Sequence, residues 1–226
     1  LDAAHGDFLP WLYTEMDQAL GTALEACDDE TLLLAISDHG FGSFRRQFNL
    51  NTWLLENGFA VLQPGAARES EYFGAIRWGG TRAYGLGINS LYLNLAGREP
   101  KGCVQADAKR ELQEEIRERL LAAVDPETGA RPIHGVYRPE EIYTGPEVRH
   151  APDLVIGYAP NYRASWDTIL GKYPAQVYLD NRDPWSGDHC IDAAFMSGVL
   201  FSNRRLGTES PGIETLAPRI IEWLTG

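Results

Sequence analysis

Thr31-Leu32-Leu33-Leu34-Ala35-Ile36-Ser37-Asp38-His39-Gly40 is the stretch on which the fold turns. The apolar run over 31–36 reads as a β-strand buried on both faces, because a half-exposed strand would alternate polar and apolar side chains. Directly after it a carboxylate and an imidazole, Asp38 and His39, stand side by side. Open α/β sheets place their sites at the carboxyl ends of strands, and both residue types ligate metals. An Asp-His pair alone is common and is usually just solvated, so the surrounding residues decide what this one is.

Upstream, Leu9, Leu12, Met16, Leu20 and Leu24 recur at helical spacing. They predict an amphipathic helix over roughly 9–26 that feeds the strand, an α-then-β unit of a parallel sheet. Downstream, Asn49 or Asn51 is placed to cap a short helix carrying Trp53 and Leu54, with Gly58 at its end. The segment 64–87 reads as irregular, and its Gly85-Leu86-Gly87 is too short for a nucleotide-binding fingerprint. Ser90 to Leu95 alternates with period two, a strand with one wet face.

A helix is expected over 107–124, with Asp107 as cap, Leu112, Ile116, Leu120 and Val124 as its stripe, and Asp125-Pro126 as its stop. Asp153 to Tyr158 and Gly198 to Ser202 read as short apolar strands, and 216–224 as a closing helix. The expected fold is α/β: a mostly parallel sheet flanked by helices, one domain over 1–226, with 60–150 as a subdomain over the site.

Six stretches carry a resemblance. Asp38-His39-Gly40-Phe41-Gly42 is followed by Asn49-Leu50-Asn51-Thr52-Trp53-Leu54, by Glu56-Asn57-Gly58-Phe59, by Ala151-Pro152-Asp153-Leu154-Val155-Ile156, and by Trp185-Ser186-Gly187-Asp188-His189. Gly198-Val199-Leu200-Phe201-Ser202-Asn203 closes the series. In this order they resemble the alkaline phosphatase superfamily, in its branch of type I phosphodiesterases and nucleotide pyrophosphatases.

The resemblance implies an alkaline-phosphatase-like fold and two catalytic divalent cations, with Asp38 and His39 ligating one and His189 the other. It also implies a Thr or Ser nucleophile that forms a phospho-enzyme, placed well before the Ser-Asp-His-Gly. Only 37 residues precede Asp38 here, so the expectation is that this chain is the carboxyl-terminal portion of such a domain, lacking its first strands and inactive alone. The superfamily's Asp-x-x-x-His pair has its nearest counterpart in Asp2 and His5, at a spacing of three, within a Leu-Asp-x-x-His-like stretch. Ligation by Asp2 and His5, or a plain loop entering a helix, both remain open.

Such chemistry has a physical basis. Two cations about 4 Å apart hold the attacking and leaving oxygens of an in-line displacement at phosphorus and neutralise the charge that develops. Carboxylate and imidazole ligands suit zinc, with manganese or iron as alternatives. The reading is therefore a metal-dependent phosphodiester hydrolase acting on a small phosphoester. The alternatives are a sulfatase, phosphonate hydrolase or mutase on the same fold, or a non-catalytic interaction module.

Composition narrows the classes. A net charge of −12 disfavours binding to nucleic-acid backbones, which needs clustered Lys and Arg. The pairs Arg45-Arg46 and Arg204-Arg205 read as solvated surface. No apolar run is long enough to span a bilayer. Three widely spaced cysteines argue against a disulfide framework and for a reducing, cytoplasmic setting. Among residues near the motifs, Cys190 reads as a small buried side chain behind His189, and Asp188 as an orienting partner of His189 or, since adjacent residues seldom point to one place, a carboxylate directed elsewhere. His134 and His150 read as surface or packing histidines, and Asp153 as a cap at the start of its strand or a group near the metals.

Overall fold

The computed structural model describes residues 6–207 and 212–225. In chain order its helices and strands are α1 (Phe8–Glu25), β1 (Leu34–Ile36), β2 (Gly42–Phe48), α2 (Leu50–Glu56), β3 (Ala83–Gly85), β4 (Ser90–Leu93), α3 (Lys109–Leu121) and β5 (Ile133–Tyr137). They continue with α4 (Pro139–Ile142), β6 (Leu154–Tyr158), β7 (Asn161–Ala164), α5 (Trp166–Ile169), β8 (Tyr178–Asp180), β9 (Gly187–Asp188), β10 (Leu200–Ser202) and α6 (Leu216–Thr225). The chain divides into two compact units, one of residues 1–40 with 197–226 and one of residues 41–196.

In the smaller unit, β1 pairs antiparallel with β10, Leu34 opposite Ser202 and Ile36 opposite Leu200. Asn203 extends the pairing, accepting from Leu33 N–H at 2.8 Å and donating to the Thr31 carbonyl at 3.1 Å. The period of two sorts the run by face. Leu33 and Ala35 line a groove with Leu20 and Leu24 of α1, while Leu32 and Leu34 line one with Ile220, Trp223 and Leu224 of α6. The strand is shorter than the apolar run and only half-buried, with Ile36 54% exposed. The helix expected over 9–26 forms, yet none of its side chains is buried.

The larger unit holds two sheets around one apolar core. In the first, β2 lies between β7, which it pairs in parallel, and β8, antiparallel, while its first two residues pair with β9. In the second, β3, β4, β6 and β5 run antiparallel in that order. The mostly parallel sheet expected from the sequence is not what forms: among the paired strands of the described residues only β2 with β7 is parallel, and the fold is mixed α/β. An apolar run dictates that side chains leave water, which either strand direction satisfies, so it says nothing about the partner's orientation.

Local expectations fare better. Asn49 is the N-cap of α2, although its side chain donates to the Gln176 carbonyl at 2.8 Å instead of capping the helix. Gly58 follows the helix end at φ +76°, a conformation that glycine adopts without strain. On α3, Leu112, Ile116 and Leu120 are buried as one stripe. Val124 is 47% exposed because the helix ends at Leu121, and Asp107 stands in a 3-10 turn ahead of the N-cap Ala108, so neither plays its expected part.

Two buried ionic clusters tie the larger unit together. Arg45 is exposed and Arg46 buried, since neighbours on a strand face opposite ways, so the solvated pair expected at 45–46 is half wrong. Arg46 Nε donates to Asp125 Oδ2 at 2.6 Å, and the same guanidinium pairs with Asp180 of β8 and Glu127. Tyr162 of β7 donates to Asp125 at 2.9 Å. In the second cluster the fully buried Asp153 accepts from Leu93 N–H at 2.7 Å and pairs with Arg98 at 2.6 Å and Lys109 at 2.7 Å. Asp153 is thus a structural link between β4, β6 and the start of α3.

Burial pushes the Asp153 carboxyl up, but its bonds from Arg98, Lys109 and Leu93 outweigh that and hold it below the ordinary 3.8. A depressed folded pKa contributes stability above the unfolded value and loses it as pH falls below about 4. Asp153→Asn is expected to lower stability at pH 7 by roughly 2 kcal/mol, discounted because both cations are over a third exposed. Urea unfolding at pH 7 and pH 3.5 should also show a shallower acid loss in the variant than in the wild type.

Candidate functional site

The strand β1 hands the chain to Asp38 under tight control. Ser37 N–H donates to the Val199 carbonyl at 3.0 Å, and Ser37 Oγ accepts from Val199 N–H at 3.0 Å. Gly198 makes this approach feasible, because a Cβ there would lie 2.2 Å from the Ser37 carbonyl oxygen and 3.2 Å from the Asp38 carbonyl carbon. Ser37 is therefore held by two hydrogen bonds to Val199, and Gly198 lies close against the Ser37–Asp38 peptide.

Beyond it, His39 Nδ1 lies 2.8 Å from the Gly40 carbonyl. A carbonyl only accepts, so this contact assigns the proton to Nδ1 and makes Nε2 the nitrogen that carries the lone pair. Nε2 stands 3.7 Å from Asp38 Oδ1. Two donors bound to one tetrahedral ion at 2.0–2.1 Å are about 3.3 Å apart, so the pair is close to the span of a single zinc ion. Asp38 is 77% exposed and His39 30%, an accessible carboxylate beside a sheltered imidazole. The donor chemistry and the spacing fit a divalent cation.

In the larger unit, His189 directly follows β9. Gly187 and Asp188 pair with Ser43 and Gly42 of β2, and Asp188 is buried. One carboxylate oxygen takes Arg163 Nη1; the other accepts from Cys190 N–H at 2.6 Å, forming a side-chain-to-backbone turn that spans His189. His189 stands exposed at the tip, with the Phe41 ring edge-on at 5.7 Å between centroids.

Ligand atoms of Asp188, His189 and Cys190 all lie within 4.8 Å of one another, a grouping that could hold a metal ion. Their chemistry differs. Burial pushes Asp188 up, but hydrogen bonds from Cys190 and the charge of Arg163 prevail and keep it below its ordinary 3.8. Burial first, then the Asp188 carboxylate, push the half-buried Cys190 thiol up to about 12. Asp188 is buried with both carboxylate oxygens engaged and Cys190 is half-buried, so His189 is the exposed side chain of the three.

Asp38 and His39 thus lie together in the smaller unit and His189 lies in the larger one, while Asp2 and His5 fall outside the described residues. His134 packs edge-on against Phe195 with centroids 4.6 Å apart, and the exposed His150 sits by Glu147 and Arg149. No helix among the described residues is long and apolar enough to cross a membrane. Sequence reasoning missed Arg163 altogether. A signal existed in a cationic residue inside a strand with Trp166 three positions on, but its other neighbours, Phe44, Trp185 and Asp188, come from distant sequence.

A family model described as type I phosphodiesterase / nucleotide pyrophosphatase matches residues 5–176. The match includes Asp38 and His39 and ends before His189. No curated protein and no solved structure matched the chain.

Gly198→Ala is expected to displace the Ser37–Asp38 peptide and weaken zinc binding at Asp38 and His39 by tenfold or more. Isothermal titration of both proteins with zinc checks this, and equal affinities would show that the close backbone approach does not position the pair.

Proposed function

Since the chain belongs to the type I phosphodiesterase / nucleotide pyrophosphatase family, we propose that it serves metal-dependent hydrolysis of a small phosphodiester, with Asp38 and His39 holding one divalent cation and His189 another. The observation that carries this reading is the His39 ring, with Nδ1 committed to the Gly40 carbonyl and Nε2 3.7 Å from Asp38 Oδ1. A histidine whose second nitrogen is held by a backbone carbonyl has its tautomer and ring plane set for ligation before any ion arrives. Zinc is the cation of choice for this carboxylate and imidazole set; manganese and iron are the alternatives.

A bound divalent cation supplies charge neutralisation at the phosphoryl oxygens and lowers the pKa of a coordinated water or hydroxyl. The chain's own residues set where that happens. Asp38 presents its carboxylate to solvent, where a cation held by it would offset the repulsion that an anionic ester meets from a protein of net charge −12. His39 and His189 are imidazoles with ring nitrogens suited to borderline metals.

The test is zinc content by elemental analysis, followed by hydrolysis of bis-p-nitrophenyl phosphate with zinc or manganese added. Wild type is expected to take up zinc, Asp38→Ala and His39→Ala to lose one ion, and His189→Ala to lose the other, with any turnover falling at least a hundredfold in each variant. A chain that takes up no divalent cation, or whose uptake is indifferent to all three substitutions, overturns the proposal.

A further inference from the structure

We propose that Arg163 is a positioning residue for His189, acting through Asp188; this rests on the reading of His189 as a metal ligand. Arg163 lies on β7, and its side chain is 2% exposed. Its guanidinium carbon sits 4.9 Å from the ring centre of Phe44, 4.7 Å from that of Trp166 and 5.0 Å from that of Trp185. Nε donates to the Ala164 carbonyl at 3.0 Å, Nη1 donates to Asp188, and Nη2 is buried with no hydrogen-bond partner among the described residues.

A cation taken this far from water is costly, and a well-packed apolar side chain in its place is often neutral or stabilising. Packing therefore does not explain it. Asp188 is the carboxylate that Arg163 holds, and that carboxylate does two jobs at once. One oxygen is fixed by the guanidinium in its aromatic cage; the other holds Cys190 N–H at 2.6 Å and so closes the turn around His189.

On the far side, the pairing of Gly42 with Asp188 anchors the same turn to β2. His189 is thus carried by a three-residue turn whose curvature depends on a carboxylate orientation that Arg163 sets. Without the guanidinium, Asp188 would be buried without its counter-charge and would turn toward water, opening the turn. Loss of such supporting contacts around a ligand histidine typically lowers metal affinity about 10–100-fold.

The experiment is zinc titration by calorimetry on the full chain, for wild type, His189→Ala, Arg163→Met, Arg163→Lys, Asp188→Asn and the Arg163→Met/Asp188→Asn double variant. Histidine ring signals are followed in parallel by NMR, where five histidines are to be assigned. The expected result is that Arg163→Met weakens the zinc site removed by His189→Ala about 10–100-fold and leaves the other site unchanged. Arg163→Lys recovers part of the loss, the double variant is no worse than either single one, and the His189 ring signal broadens.

Should Arg163→Met fail to fold, Asp188→Asn carries the same reading, because it keeps the oxygen that accepts from Cys190 while removing the charge. Zinc affinity at the His189 site that is unchanged in Arg163→Met and Asp188→Asn, yet lost in His189→Ala, overturns the positioning role and leaves the proposed function standing. A wild type whose zinc uptake is indifferent to His189→Ala overturns both.

Discussion

Strand β2 has to satisfy three strand partners while putting an arginine into the interior, and the larger unit depends on that. Its backbone pairs with β7 on one side, with β8 on the other, and with β9 at its start. Seven residues from Gly42 to Phe48 thereby hold segments that lie well over a hundred positions downstream. The alternation of the strand sends Phe44, Arg46 and Phe48 inward. Phe48 joins the apolar core, Phe44 becomes a wall of the Arg163 cage, and Arg46 gathers Asp125 and Asp180. A one-residue slip of register would expose all three at once.

The charged interior follows two different designs. Around Arg46 and around Asp153, one buried ion meets several partners of opposite sign, so the cost of desolvation is shared over many hydrogen bonds. Around Arg163 the cation meets one carboxylate and three aromatic faces, whose electron-rich surfaces stand in for part of the lost hydration. The first design joins strands and helix ends. The second leaves one carboxylate oxygen over, and that oxygen shapes the turn carrying His189.

The two candidate ligand groups are likewise built by separate local devices. Asp38 and His39 sit where a strand ends, with the preceding Ser37 tied to Val199 and the imidazole tied to Gly40. His189 sits in a turn closed by the side chain before it and the amide after it. The His39 ring is held by a neighbouring carbonyl and the turn carrying His189 by a neighbouring amide, contacts of the kind that prepare a metal-binding histidine before an ion binds.

The amino-acid sequence by itself determined the elements whose cause is local. Helical spacing placed α1, α3 and α6, period two placed β4, glycine placed the end of α2, and Ser-Asp-His-Gly after an apolar run marked the candidate ligands Asp38 and His39. It could also point to family membership, because motif order survives without coordinates. Strand direction, the burial of Arg46 and the Arg163–Asp188 pair were decided only by the tertiary structure. The reason is physical: hydrophobic patterning measures the tendency to leave water, which is a property of single side chains, whereas an ion pair or a strand pairing belongs to two distant segments at once. Residues 163 and 188 acquire their meaning only when β7 and β9 are both held against β2.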